Sequence, residues 1–194
     1  MPYRSDQWIP TRVAEAIHLA HRLGFSSSSE PPVGRLLSLL ASQVASGVIG
    51  EIGTGCGVGA AWISEGKRDS IPFITVEADP KRAEAARSVL RGVSGVTVLQ
   101  GDWHELLSRG PFQLLFADGG KAKENEPETL LQAMAPGGAI LIDDMTPEEY
   151  FPPERQGKID PVREFWLNDL RLYACELRVT PRTSVILAIR KTDD

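Results

Sequence analysis

Cysteine is scarce in this 194-residue chain: only Cys56 and Cys175 occur, far apart in sequence. Two such residues make neither a disulfide framework nor a zinc-ligand spacing, and they fit a reducing compartment. No apolar run approaches the ~20 residues needed to cross a bilayer. The start, Met1 to Pro10, lacks the basic and apolar regions of a signal peptide. A cytoplasmic location is therefore expected, with no membrane partner. No block of Lys or Arg stands out, and the net charge is −5 with a pI of about 5.3. Such a surface gives no electrostatic reason to bind nucleic acid nonspecifically. No internal repeat is visible.

What is present reads as an ordinary globular chain, 42% hydrophobic and 24% charged. A core of this size needs no covalent staples. One domain is expected over 1–194, with N-terminal helices in 1–46 and a sheet core in 47–194. Residues 11–23 place Val13, Ile17 and Ala20 at helical spacing, and Val33–Val44 carries a broad leucine-rich face. The serines and prolines of Ser26–Pro32 mark a loop between them. From Gly47 short apolar runs at 47–52, 72–77, 95–99, 112–117 and 138–142 alternate with helical stretches at 58–66, 80–91, 103–108 and 126–135. That alternation predicts an α/β fold of Rossmann-like type, with a parallel sheet between helices. Runs such as Leu114-Leu115-Phe116-Ala117 suit strands buried on both faces. Asp160–Asp169 reads as a helix. Leu172–Val179 and Ser184–Ile189, around Thr180-Pro181-Arg182-Thr183, then read as an antiparallel hairpin, which brings the sheet to seven strands.

The segment Glu51-Ile52-Gly53-Thr54-Gly55-Cys56-Gly57 joins the first strand to its helix. Glycines there allow a tight turn and close approach of a ligand to the backbone, although strand-to-helix turns favour glycine in any case. The second strand ends in Glu77-Ala78-Asp79, and an acid at that place can accept from both ribose hydroxyls. The third leads to Gly101-Asp102-Trp103. Asp102 can accept from an adenine amino group and Trp103 can stack on the ring; Asp102 can equally cap the short helix that follows. The fourth strand ends in Asp118-Gly119-Gly120-Lys121 and the fifth in Asp143-Asp144. Three carboxylates at neighbouring strand ends suit a hard cation such as Mg²⁺, and each alone can be a cap or turn former.

E-I-G-T-G-C-G resembles the first motif of class I S-adenosylmethionine-dependent methyltransferases. Asp118-x-x-Lys121 followed by Asp143-Asp144 is similar to the cation-dependent O-methyltransferases of catechol and caffeoyl-CoA type. Glu30–Leu37 and Val162–Phe165 resemble the helices that flank that family's core, so the likeness covers about residues 26–190. It implies a cofactor site of Glu51, Gly53, Thr54, Gly55, Gly57, Glu77, Ala78, Asp102, Trp103 and Asp118. It implies a divalent cation on Asp118, Asp143 and Asp144, with Asp118 and Lys121 in catalysis and Lys121 as general base. A small methyl acceptor with aromatic or vicinal hydroxyls is implied, and a homodimer, since relatives are often dimers. Asp144 stands where the family usually has Asn, and Met145–Lys158 departs from the family sequence. Other readings are a methyltransferase fold acting without metal on RNA or a carrier-bound metabolite, and a cofactor-binding protein without catalysis. A nicotinamide dehydrogenase is opposed by the terminal hairpin and by the E-x-G-x-G-x-G spacing.

Other chemistry-bearing residues read as structural. His18 and His21 can share a helix face but have no third ligand. His104 belongs to a helix start, Cys56 fills space in the glycine loop, and Trp8, Trp62 and Trp166 are packing residues.

Overall fold

A central sheet in the order β3-β2-β1-β4-β5-β7-β6 organises the chain. The computed structural model describes residues 9–119 and 121–192, so Trp8 and Gly120 lie outside the described residues. The strands are β1 (Val48–Ile52), β2 (Phe73–Glu77), β3 (Val96–Gln100), β4 (Phe112–Ala117), β5 (Met134–Met145), β6 (Leu172–Arg178) and β7 (Ser184–Arg190). The first five pair in parallel, and β7 pairs antiparallel with both β5 and β6. This is the Rossmann-like sheet ending in an antiparallel hairpin that the alternation of runs predicts.

Helices cover both faces: α1 (Thr11–Arg22), α2 (Pro31–Gln43), α3 (Val58–Gly66), α4 (Pro80–Val89), α5 (His104–Leu107), α6 (Ala122–Asn125), α7 (Pro127–Ala133) and α8 (Pro161–Asn168). Alternation along β4 explains the two cores. Leu114 and Phe116 join the cluster under α1, α2 and α3, whereas Leu115 and Ala117 join the one containing Leu130 and Trp166. Trp62 and Trp166 are buried packing residues, and His18 and His21 are exposed. No helix among the described residues is long and apolar enough to cross a membrane.

The boundaries differ from expectation where local chemistry intervenes. The helix expected over 126–135 stops at Ala133. Pro136 offers no N–H and disfavours helical backbone at Ala135, and Gly137 then turns at φ 73°. The chain enters β5 at Met134, pairs with Phe112, and resumes pairing at Ala139 after a register shift. Asp79 and Asp160 cap α4 and α8 by accepting from two backbone N–H groups each, with Pro at the first helical position.

The departing stretch Met145–Lys158 and the Asp160 that follows it are tied down by one guanidinium. Arg163 is 8% exposed and donates to Glu176 at 2.8 and 2.7 Å, to Asp160 at 2.9 Å and to the Thr146 carbonyl at 2.8 Å. Its removal would strand the Glu176 carboxylate in a semi-buried place and leave Asp160 with Arg155 alone, at 2.9 Å, as its ion-pair partner. Arg163→Ala should therefore lower the unfolding free energy by about 3 kcal/mol. Arg163→Lys should recover little, because an ammonium cannot present the same fork of donors. Urea midpoints of the three proteins check this, and a loss below about 1 kcal/mol would show the network to be dispensable.

Candidate active site

Parallel strands deliver their carboxyl ends to one edge, and the strand order reverses between β1 and β4. A crevice opens there because the connections leave the sheet towards opposite faces. In this chain it is a cavity of about 530 Å³, with Gly53, Glu77, Asp102, Asp118 and Asp143 among its lining.

The glycine loop runs through left-handed backbone at Gly53 (φ 90°), Gly55 (φ 54°) and Gly57 (φ 92°). A Cβ on Gly53 would sit 2.8 Å from the Gly119 backbone, so the first and fourth strand-end loops touch main chain to main chain. Gly53 and Gly55 line the cavity, whereas Gly57 turns the chain into α3 as its N-cap. Glu77 takes the Gly55 N–H at 2.8 Å on one oxygen. Its other oxygen takes the Asp79 N–H at 2.9 Å and Arg82 at 3.0 and 2.8 Å. The Arg82 guanidinium lies over Phe25, 5.2 Å from the ring centre. Phe25 in turn packs where a Cβ on Gly55 would go.

Ala78, Asp102 and Trp103 line the same cavity. Asp102 accepts from the His104 N–H at 2.9 Å, so it does hold the helix start, and its side chain also meets the His104 ring. Ser29, 8% exposed, lines the cavity, and its buried hydroxyl has no hydrogen-bond partner among the described residues. A buried hydroxyl left unpaired is costly in isolation and suits a polar ligand group.

Two expected residues stand back from the cavity. Glu51 lies beneath the glycine loop, 1% exposed, and accepts from the Thr75 hydroxyl at 2.5 Å. Thr54 faces Thr75 as well, at 2.5 Å, rather than the main cavity. Burial raises the Glu51 carboxyl to about 8, against the hydrogen bond from Thr75 that lowers it.

On the other side, oxygens of Asp118, Asp143 and Asp144 lie within 4.8 Å of one another. Burial, and then repulsion from Asp143 and Asp144, raises the Asp118 carboxyl to about 9. Asp143, 3% exposed, is pushed up to about 6, first by burial. Asp144 has φ 59°, a left-handed backbone that Asp and Asn tolerate better than other side chains. Three oxygens converging in this way fit a divalent cation, whose charge would relieve the repulsion. Lys121 also has left-handed backbone (φ 53°), but it is exposed and outside the cavity lining. The lysine that reaches the acids is Lys123, whose ammonium donates to the Asp143 carbonyl at 2.5 Å.

Several lining residues escaped sequence reasoning. Phe25 and Ser26–Ser29 were visible only as a loop, and nothing in the sequence carries Thr183 of the far hairpin to the same cavity. Arg82 had a usable signal, standing on the first turn of a helix that starts just after Glu77.

A methyltransferase-domain family model matches residues 51–145. A protein of Mycobacterium sp. (strain JLS) named as an O-methyltransferase is 30% identical over a stretch covering 58% of this chain and 54% of its own. One from Mycolicibacterium vanbaalenii is 29% identical, covering 67% and 61%. The chain thus spans little more than half the length of these relatives. The fold is that of the O-methyltransferase from Bacillus cereus in complex with S-adenosylhomocysteine: TM-score 0.80, 23% identity, 96% of this chain and 94% of that one. It is equally that of the Streptomyces achromogenes enzyme TomG in complex with S-adenosylmethionine, with TM-score 0.80, 21% identity, and 97% and 93% covered.

The buried Glu51 has a consequence for stability. Folded, it keeps its proton up to about pH 8; unfolded, it loses it in the ordinary carboxylate range. Its contribution is full below that range and is lost as pH climbs to about 8. Glu51→Gln, which has no proton to lose, should therefore gain on the wild type between pH 5 and pH 9. Urea midpoints at pH 5, 7 and 9 measure this gap, and a gap that does not grow with pH would place the Glu51 carboxyl in its ordinary range.

Proposed function

From the site and from the methyltransferase-domain model that matches residues 51–145, we propose that this chain transfers the methyl group of S-adenosylmethionine to a hydroxyl oxygen of a small acceptor. The observation that carries the reading is one crevice flanked by two kinds of chemistry. The glycine loop, Glu77, Asp102 and Trp103 are on one side, and three carboxylates are on the other. The structures from Bacillus cereus and Streptomyces achromogenes, bound to S-adenosylhomocysteine and S-adenosylmethionine, support the choice of cofactor.

In this reading Gly53 and Gly55 border the methionyl part, and the unpaired Ser29 hydroxyl meets one of its polar groups. Glu77 accepts from one ribose hydroxyl on Oε2, which takes only the Gly55 N–H, because Oε1 already takes three donors from Asp79 and Arg82. Asp102 and Trp103 meet the adenine. Glu51 acts from below, as a neutral carboxyl that holds Thr75, and Gly57 and Thr54 shape the loop. Asp118, Asp143 and Asp144 hold a divalent cation, and Lewis-acid lowering of the acceptor hydroxyl pKa is the chemistry such an ion supplies when bound. The protein's own task is alignment, since the sulfonium methyl is already activated and the acceptor oxygen must lie in line with it. A diol or catechol-like acceptor suits this donor set, because adjacent oxygens can share one cation. Proton acceptance goes to Lys121, three residues past Asp118, with Lys123 fixing the Asp143 backbone. The chain acts as a single domain, and pairing of two copies follows the habit of relatives.

Two measurements test this. S-adenosylhomocysteine should bind and raise the melting temperature by mass action. Glu77→Ala should weaken binding about 10- to 100-fold, the equivalent of one lost hydrogen bond to a charged group of about 1.5–3 kcal/mol. Absence of binding to wild type would refute the reading, and tight binding of NADH instead would replace it with a dehydrogenase.

The second is turnover of a catechol-like diol, which should fall in EDTA and return with Mg²⁺ or Mn²⁺. Asp143→Ala should abolish that return while S-adenosylhomocysteine still binds. Lys121→Ala should cost on the order of 10²–10⁴ in kcat, the span of a positioned general base. Full turnover in EDTA would refute the cation, and a near-normal kcat for Lys121→Ala would take the base away from Lys121.

A further inference from the structure

His104 is bound on both ring nitrogens by carboxylates from two different parts of the chain. Its Nδ1 meets the Asp102 carboxylate, and its Nε2 lies 3.0 Å from Oε1 of Glu126. Asp102 precedes α5, while Glu126 sits at the junction of α6 and α7. The ring also stacks on Trp103, with centroids 3.9 Å apart. Trp103 and Asp102 both line the cavity; the histidine is exposed behind them. The charged groups that face the ring are these two acids.

A neutral imidazole carries one N–H and one acceptor nitrogen, and only the imidazolium donates on both sides. Loss of the proton therefore breaks one contact of the pair. Either the Asp102 side chain loses its support, or α5 is released from the α6–α7 junction. We propose that His104 is a positioning residue that fixes Asp102 and Trp103 at the nucleobase end of the cavity and makes cofactor affinity depend on pH. The proposal rests on the reading of that cavity as the S-adenosylmethionine site. Both carboxylates favour the charged ring and hold its pKa above the ordinary histidine value, with Asp102 the larger influence. The clamp is thus closed while the ring is protonated and opens as pH rises through its raised pKa.

The logic differs from that of the acids across the cavity. Those groups crowd like charges and are relieved by a cation. His104, when protonated, supplies a cation beside Asp102 and holds its carboxylate together with the His104 backbone N–H. Because Glu126 belongs to the segment that follows Lys121 and Lys123, the same ring also ties the adenine end to the loop beside the carboxylates.

The test is S-adenosylhomocysteine affinity by calorimetry from pH 6 to pH 9.5, with the His104 ring followed by NMR; only three histidines need to be distinguished. Wild-type Kd should weaken on the order of fivefold across one inflection, the equivalent of one ordinary hydrogen bond. That inflection should coincide with the ring titration. His104→Phe keeps an aromatic face for Trp103 but has no donors, and should bind more weakly at pH 6 with the inflection gone. Glu126→Gln, an exposed change with little risk to folding, should move the ring titration and the binding inflection down together. Parallel profiles for wild type and His104→Phe would overturn the proposal, as would a ring titration that binding ignores. If wild type binds no S-adenosylhomocysteine at any pH, the cofactor reading falls and this proposal with it. Binding that ignores pH refutes His104 alone.

Discussion

The parallel pairing of β1 with β4 is the contact from which the rest of the molecule follows. Ile52 lies beside Ala117 at the end of that ladder. The two strands connect onward in opposite directions across the sheet, one to β2 and the other to β5. The loops leaving their ends part, and the gap between them is the cavity. Its floor is as tight as peptide chains allow, with Gly53 against Gly119. A side chain on either glycine would fill part of the space that a ligand needs or force the strands apart. Every site residue is placed from this seam. Glu77 and Asp102 lie one and two strands out on one side, and Asp143 and Asp144 lie one strand out on the other.

The seam also crowds carboxyl groups where water is scarce. Glu51, Asp118 and Asp143 are all raised by burial, and Glu51 adds to the repulsion on Asp118. A fold selected for stability alone would place apolar or neutral groups there. Arg82 on Glu77 and Lys123 at the Asp143 carbonyl offset part of the cost. The remainder is the kind of electrostatic tension that accompanies a binding site. The apolar layers carry it: Phe116 and Leu114 on one face and Leu115 on the other are fully buried.

Much of this was legible in the sequence. Strands buried on both faces announce themselves as continuous runs, and Leu114–Ala117 and Ile140–Ile142 fall within the observed β4 and β5. Glycine and acid at successive strand ends named the strand-end part of the cavity wall, because parallel strands bring those ends to one edge. What was hidden depends on side-chain reach and tertiary neighbours. Lys121 and Lys123 are two residues apart, and spacing alone does not tell which of them turns towards Asp143. His104 looked like part of a helix start because its second partner, Glu126, comes from a separate helix junction. Glu51 belongs to the motif, yet a five-residue strand does not reveal that its side chain turns to Thr75 and away from the cavity.

The contact between Gly53 and Gly119 also bears on how two ligands sense each other. The loop that borders one occupant and the loop that borders the other share a main-chain surface, with no side chain between them to absorb a displacement. A shift of either loop is thus transmitted to its neighbour. In thermodynamic terms any two occupants of the crevice would be linked, and any effect of the first on the affinity of the second would be matched by an equal effect in return. The order in which they enter is then a property of the backbone as much as of the groups that hold them.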